Sequence, residues 1–259
     1  PINPGNKVVY LTFDDGPSRY TSRLLDILDK YGVKATFFVT NQFPKYQYMI
    51  GETHRRGHTI ALHTLTHRYE VLYKNEAAYY NDLEAIKNIV VNQTGVTPTI
   101  VRFPGGTSNT VSRKYCNGIM SSLIKSISYH GFLYCDWNVS SGDAGGAKTA
   151  DDVYYNVING VSNRRVSIVL QHDIQGFSVD AVERIIRDVV QLLAIGGYNI
   201  AVNILGQDSS LISSVVALLN CDIALDASSH SVYQLAWDAL YILEAVDIAL
   251  CSVEITKTQ

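Results

Sequence analysis

Val8-Val9-Tyr10-Leu11-Thr12-Phe13 runs straight into Asp14-Asp15-Gly16-Pro17, and a stretch of helical spacing, Ser22–Tyr31, separates it from the next β-rich run, Ala35–Thr40. The first run reads as a buried strand that ends in a polar turn. Leu24, Leu25, Ile27 and Leu28 give the following helix an apolar face, and Gly32 is placed to cap its C-terminus. Two strands joined by a helix read as a parallel pair, because parallel neighbours need a long crossover. The same unit recurs along the chain. Further apolar runs are Thr59–Leu62, Thr99–Val101, Phe132–Cys135, Ser167–Leu170 and Tyr198–Val202, with helical spacing in Ala77–Thr94, Thr149–Val161 and Val179–Ile195. Seven such units predict an α/β fold on a parallel sheet. Periodicity leaves open whether that sheet closes into a barrel or stays open and doubly wound.

The 259 residues suit a single α/β barrel. With 47% hydrophobic and 17% charged residues the chain is not intrinsically disordered. A net charge of −3 offers no basic surface for nucleic acid. Cys116, Cys135, Cys221 and Cys251 are dispersed, without the CxxC pairs of a zinc ribbon. Pro1–Asn6 reads as a turn-rich entry and not as a secretion signal. The uncharged run 189–207 contains Gly196, Gly197 and Asn199, so it reads as helix, turn and strand, and no membrane span is expected. Residues 207–259 differ from the rest: they lack proline and glycine and carry seven acidic residues against one basic. They are expected to form a helical acidic tail behind a catalytic unit at 1–206.

Reactive side chains cluster where the predicted strands end. Asp14-Asp15 follow the first strand, His63 and His67 the third, and Arg102-Phe103-Pro104 the fourth. Asp136 to Asp143 follow the fifth, and His172-Asp173 the sixth. In parallel α/β folds those ends share one face, on which sites are built. Asp-Asp-Gly-Pro alone also reads as a plain turn, and His172 as a core histidine. The adjacent carboxylates nonetheless permit one to bind a cation while the other acts as base. His63 and His67, four residues apart, would share a face on one helical turn and could bind one ion. Asp15 as third ligand would give a two-His, one-carboxylate set with open positions, a catalytic geometry suited to Zn2+, with Co2+ or Ni2+ able to substitute. No Gly-x-Ser-x-Gly elbow supports a serine esterase.

Thr12-Phe13-Asp14-Asp15-Gly16-Pro17, His63-Thr64-Leu65-Thr66-His67, Arg102-Phe103-Pro104 and Leu170-Gln171-His172 resemble, in order, motifs of the polysaccharide deacetylases, the NodB-homology domain of carbohydrate esterase family 4. The resemblance spans about Lys7 to Leu205, and is strongest to bacterial peptidoglycan GlcNAc deacetylases. It implies a distorted (β/α)7 barrel, here with a C-terminal helical extension. It also implies metal-dependent removal of acetate from GlcNAc residues of a polysaccharide, peptidoglycan first. In that reading Asp14 is the general base, Asp15, His63 and His67 are the metal ligands, and His172 is the general acid. Arg102 would hold Asp14, Leu170 would line the acetyl pocket, and a backbone N–H near Gly105, after Pro104, would meet the oxyanion.

Two departures from the family pattern stand out. Gly105-Gly106 replace the aromatic residue that often follows Arg-x-Pro, so one wall of the sugar site is expected to be missing. Ala144 stands where a tryptophan often follows the motif aspartate. Asp143 is the candidate partner of His172, with Ser140 an alternative, and Trp137 is a candidate aromatic contact or a core residue. The same machinery would serve an acetylxylan esterase, and an inactive carbohydrate-binding relative is a third reading. The resemblance implies an extracellular or wall-facing enzyme with an N-acetylated polysaccharide as partner. The tail is expected to be a cap, a surface for oligomerisation or a non-native extension.

Overall fold

The structure, a computed structural model, describes residues 7–195. One sheet holds β1 (Val8–Asp14), β2 (Thr36–Val39), β3 (Thr59–Leu62), β4 (Ile100–Val101), β5 (Leu133–Tyr134), β6 (Val139–Ser140) and β7 (Val166–His172). Around it lie α1 (Thr21–Lys30), α2 (Met49–Arg55), α3 (Tyr69–Leu72), α4 (Glu76–Thr94), α5 (Ile119–Ser126), α6 (Ala150–Ser162) and α7 (Gly176–Ile195). The strand order is β5-β4-β3-β2-β1-β7-β6, and every neighbouring pair is parallel.

That order dictates the shape. β5 and β6 follow each other in sequence yet occupy opposite edges, with only residues 135–138 between them. Fully extended, this link spans at most about 17 Å. Seven strands laid flat at about 4.8 Å spacing would hold the two edges about 29 Å apart. The sheet therefore curls until its edges approach. Cys135 N still bonds Val101 O on the β4 side, while Asn138 N already bonds Ile168 O on β7. The Asn138 side chain extends that pairing, accepting from Ile168 N at 2.8 Å and donating to Val166 O at 3.0 Å. The result is the distorted (β/α)7 barrel that the resemblance implied.

Local sequence explains the helices that brace it. α1 buries Leu24, Leu25 and Leu28 in the main hydrophobic core. α6 starts at a capping box, in which Thr149 Oγ1 accepts from Asp152 N and Asp152 Oδ2 accepts from Thr149 N. α4 starts on the Asn75 side chain and ends at Gly95 in the left-handed conformation.

Among the described residues six of the seven expected strands are present, and β6 is an addition. β6, only two residues long, was read as loop, since a pair such as Val139–Ser140 shows no periodicity. α2, α3 and α5 are likewise additions, each too short for a periodic signal. The expected strand Tyr198–Val202, the boundary at 206/207, the helical tail 207–259 and oligomerisation through it all lie outside the described residues. Among the described residues no helix is long and apolar enough to cross a membrane.

Candidate active site

Asp14 is the last residue of β1 and His172 the last of β7, and the two are register partners across the parallel pair. Both thus belong to strands and do not follow them, and register places their side chains on the same face. Arg102, just beyond β4, reaches the middle of the curled sheet and is fully buried. Its Nη1 donates to Asp14 Oδ1 at 2.7 Å and to Thr12 Oγ1 at 2.8 Å, its Nε to Cys135 O at 2.8 Å and its Nη2 to Asp136 O at 3.1 Å. The guanidinium also lies over the Phe38 ring, 3.9 Å from its centroid. A buried charge needs such a full set of partners. Burial pushes the Asp14 carboxyl up to about 6, against the opposing pull of Arg102 and then of His172.

The histidine pair sits in a bend after β3 and not on a helical turn, which corrects the sequence reading. Thr64 (φ 79°) and His67 (φ 54°) adopt the left-handed region that residues with a Cβ avoid. Asp82, on α4, holds the bend: its carboxylate accepts from Leu65 N, from Thr66 N at 3.2 Å and from Thr66 Oγ1 at 2.8 Å. Asp15 is left-handed too (φ 74°), and is braced from just beyond β2, where Thr40 Oγ1 donates to Asp15 O at 2.7 Å. Strain concentrated at a site and held by its surroundings is a mark of function.

The donor atoms of Asp15, His63 and His67 all lie within 4.8 Å of one another. Asp15 Oδ1 is 3.3 Å from His67 Nε2 and 3.7 Å from His63 Nε2. Ligand atoms on a tetrahedral ion with bonds of about 2.0–2.1 Å stand about 3.3 Å apart, close to this spacing. Asp15 Oδ1 is buried and has no hydrogen-bond partner among the described residues. The His63 ring meets Arg102 O through Nδ1 at 2.7 Å, which places the proton on Nδ1 and leaves Nε2 as a lone-pair donor. Burial, and then the charge of His67, hold the His63 imidazole well below its ordinary range. An orphaned carboxylate oxygen facing two imidazole nitrogens fits a divalent transition metal.

His172 Nδ1 pairs with Asp143 Oδ1 at 2.7 Å, and Asp143 Oδ2 accepts from His172 N at 2.7 Å and from Ser178 Oγ at 2.6 Å. Of the two candidate partners, Asp143 therefore meets the ring, while Ser140 Oγ accepts from Gly142 N. Burial alone would hold the His172 imidazole down, but the hydrogen bond and charge of Asp143 push it up to about 9. His172 Nε2 is left facing the cluster, 4.0 Å from Asp15 Oδ2. The neighbouring Asp173 is fully buried and braces the first motif, accepting from Thr21 Oγ1 through its side chain and from Ser18 Oγ through its carbonyl. A Cβ on Gly16 would overlap the Asp173 carboxylate, which accounts for glycine there.

The family model described as polysaccharide deacetylase matches residues 2–119. The catalytic domain of peptidoglycan N-acetylglucosamine deacetylase from Eubacterium rectale is 55% identical, with a TM-score of 0.72 over 77% of this chain and 89% of that one. The chain belongs to the polysaccharide deacetylase family. A peptidoglycan-N-acetylglucosamine deacetylase of Bacillus cereus is 31% identical over 70% of this chain and 65% of its own length. The crystal structure of a polysaccharide deacetylase from Bacillus cereus is 30% identical with a TM-score of 0.62, covering 75% of this chain and 90% of that one. The chain spans 60–65% of the length of the first curated relatives that it matches.

Within this polysaccharide deacetylase fold the remaining predicted site residues surround the cluster. Pro104 is buried and its carbonyl accepts from Tyr73 Oη at 2.7 Å. Gly105 and Gly106 are both left-handed, with φ of 79° and 75°, and Gly105 is exposed. Asp136, absent from the predicted set, fixes the next residue by accepting from Thr107 N and Thr107 Oγ1. Trp137 is half-buried, packs where a Cβ on Gly106 would stand and lies 5.6 Å from the Arg102 guanidinium, so it lines this loop from the core side. Leu170 lies two residues before His172 on the same face of β7 and is 6% exposed. Ala144 is exposed. Asp82 has no signal in the sequence, and Asp136 and Asp173 stand there only as members of their strand-end clusters, without a role. An isolated aspartate carries no pattern until tertiary contact gives it a partner.

Proposed function

We propose that this chain is a metal-dependent hydrolase that removes acetyl groups from GlcNAc units of a polysaccharide, peptidoglycan first. The observation that carries the reading is that two separately braced groups converge on the Asp15, His63 and His67 cluster. Asp14, locked to Arg102, has Oδ2 3.7 Å from His63 Nε2, and His172, locked to Asp143, has Nε2 4.0 Å from Asp15 Oδ2. Zinc, or cobalt or nickel on the same donors, would supply Lewis acidity to the acetamide carbonyl and the attacking water.

The chain's own groups do the rest. Asp14 takes the proton from water as it attacks, and Arg102 keeps that carboxylate oriented and charged in a site where burial alone would neutralise it. The exposed Gly105 offers a backbone N–H to the developing oxyanion. His172 donates from Nε2 to the departing amine, which cannot leave as an anion, while Asp143 on Nδ1 fixes the tautomer that makes this donation. Leu170 packs beside the acetyl methyl group. Atoms balance: water adds across the amide and yields acetate and a free amino sugar. On this reading the enzyme faces the wall or the extracellular space, where such polymers lie.

The test is acetate release by chelator-stripped protein, with and without zinc, from GlcNAc oligomers, peptidoglycan and acetylated xylan. Zinc-dependent release from the GlcNAc substrates is expected. Asp14→Asn is expected to bind zinc as tightly as the parent and to lose turnover by at least 100-fold. Release from xylan alone would move the assignment to an ester substrate, and full turnover in Asp14→Asn would remove the assigned base.

A further inference from the structure

The loop after β4 carries Gly105-Gly106, so that one wall of the sugar site was expected to be missing, and the geometry shows what stands in that space. A Cβ on Gly105 would overlap the Tyr69 hydroxyl and lie 3.0 Å from Asn109 Cβ. With φ of 79°, Gly105 is also in a conformation that residues with side chains rarely adopt. The space is thus taken by Tyr69, the first residue of α3, two positions beyond the metal-ligand candidate His67.

Tyr69 is the outward end of an aromatic chain. Tyr79 and Tyr73 stack at 6.4 Å, Tyr73 meets Tyr69 edge-on at 5.3 Å, and Tyr69 meets His67 edge-on at 5.8 Å. Tyr73 and Tyr79 are fully buried, whereas Tyr69 is half-exposed. The Tyr73 hydroxyl is committed to Pro104 O, but the Tyr69 hydroxyl has no hydrogen-bond partner among the described residues. A residue needed only for packing could be phenylalanine. A ring held rigid from behind, with its polar tip uncommitted beside both His67 and Gly105, is suited to a ligand that offers C–H faces and hydroxyls together. A pyranose does so.

We propose that Tyr69 is a substrate-binding residue that supplies the aromatic wall of the sugar site from α3, placing its ring and hydroxyl against the GlcNAc unit whose acetamide is cleaved. This rests on the deacetylase reading above and adds a specificity-determining residue to it. The wall is transferred from the β4 loop to the segment that also carries His67, so sugar position and ligand position are set by one piece of chain.

Binding and turnover test it separately. In zinc-loaded, full-length Asp14→Asn protein, which does not consume the ligand, the affinity for a GlcNAc tetramer is measured by calorimetry with Tyr69, Tyr69→Phe and Tyr69→Leu. Tyr69→Leu is expected to weaken binding at least tenfold, and Tyr69→Phe to recover part of that loss. With Asp14 intact, Tyr69→Leu is expected to raise KM for the tetramer far more than it lowers kcat. It should also lose at least tenfold more efficiency on the tetramer than on 4-nitrophenyl acetate, which has no sugar. Unchanged tetramer affinity in Tyr69→Leu, no tetramer binding at all, or equal losses on both substrates would overturn the proposal. Tyr69-dependent binding without acetate release from the parent enzyme would sink the deacetylase reading and leave the sugar site standing.

Discussion

Arg102 Nη1 donates to Asp14 Oδ1 at 2.7 Å across a sequence separation of 88 residues, and the Arg102 side chain is fully buried with Asp14 only 2% exposed. The pair joins the far side of the curl to β1, and its remaining donors satisfy Cys135 O and Asp136 O at the barrel seam. Removing one partner of such a pair leaves a buried charge, at a cost of about 3–5 kcal/mol. Arg102→Met is therefore expected to lower the unfolding free energy by that amount in urea denaturation. Asp14, no longer opposed in its upward shift, should be largely protonated at neutral pH, and acetate release should fall at least 100-fold. A loss below about 1 kcal/mol would contradict the structural role.

In the proposed mechanism Asp143, bonded to His172 Nδ1, acts through that ring and not on substrate. Asp143→Asn removes the charge that raises the imidazole and allows the ring to take the wrong tautomer. Turnover of a GlcNAc oligomer is expected to fall by at least 100-fold, since an amine must be protonated to leave. Hydrolysis of 4-nitrophenyl acetate, whose leaving group departs unaided, is expected to fall by less than about tenfold. Parallel losses on amide and aryl ester would show that Asp143 shapes the site rather than tuning the acid.

The contrast between these residues shows what a sequence can display. Asp14, Asp15, His63, His67 and His172 were readable because they sit at the ends of apolar runs, and strand ends share a face whatever the details of the helices. The bend at 63–67 was not readable: spacing of four suggests a helical turn, and only Asp82, reaching in from α4, shows why the chain bends instead. β6 was hidden by its length, and with it the seam that makes the sheet curl. Tyr69 was invisible for another reason. Its place depends on one glycine 36 residues away, Gly105, whose missing Cβ leaves the room it fills.

The bend at 63–67 makes Asp82 a test of metal affinity. Its carboxylate takes three donors from Leu65 and Thr66, and so holds the left-handed Thr64 and His67 in place. Groups that orient ligands typically change metal affinity by roughly 10–100-fold when removed. Asp82→Ala is expected to weaken zinc binding within that range in a chelator-competition titration, while its far-UV dichroism stays that of the parent. Unchanged affinity would mean that the bend holds itself.

His58 carries the last prediction, on stability and pH, and lies away from the cluster. It is 3% exposed, packs edge-on against Phe37 at 5.4 Å, and accepts from Ala35 N through Nδ1 at 3.2 Å, tying the entry of β2 to that of β3. Burial, and then the charge of Lys34, lower its pKa to about 4. The folded state thus favours the neutral ring, whereas the unfolded chain takes up a proton near pH 6.5. The stability from this neutral ring is fully present above about pH 6.5 and is lost as pH falls towards 4, a change on the order of 3 kcal/mol. His58→Asn cannot titrate in that window. Urea denaturation at a series of pH values between 7 and 4 should therefore show a shallower decline for His58→Asn than for the parent, and identical slopes would mean that His58 keeps its ordinary pKa in the fold.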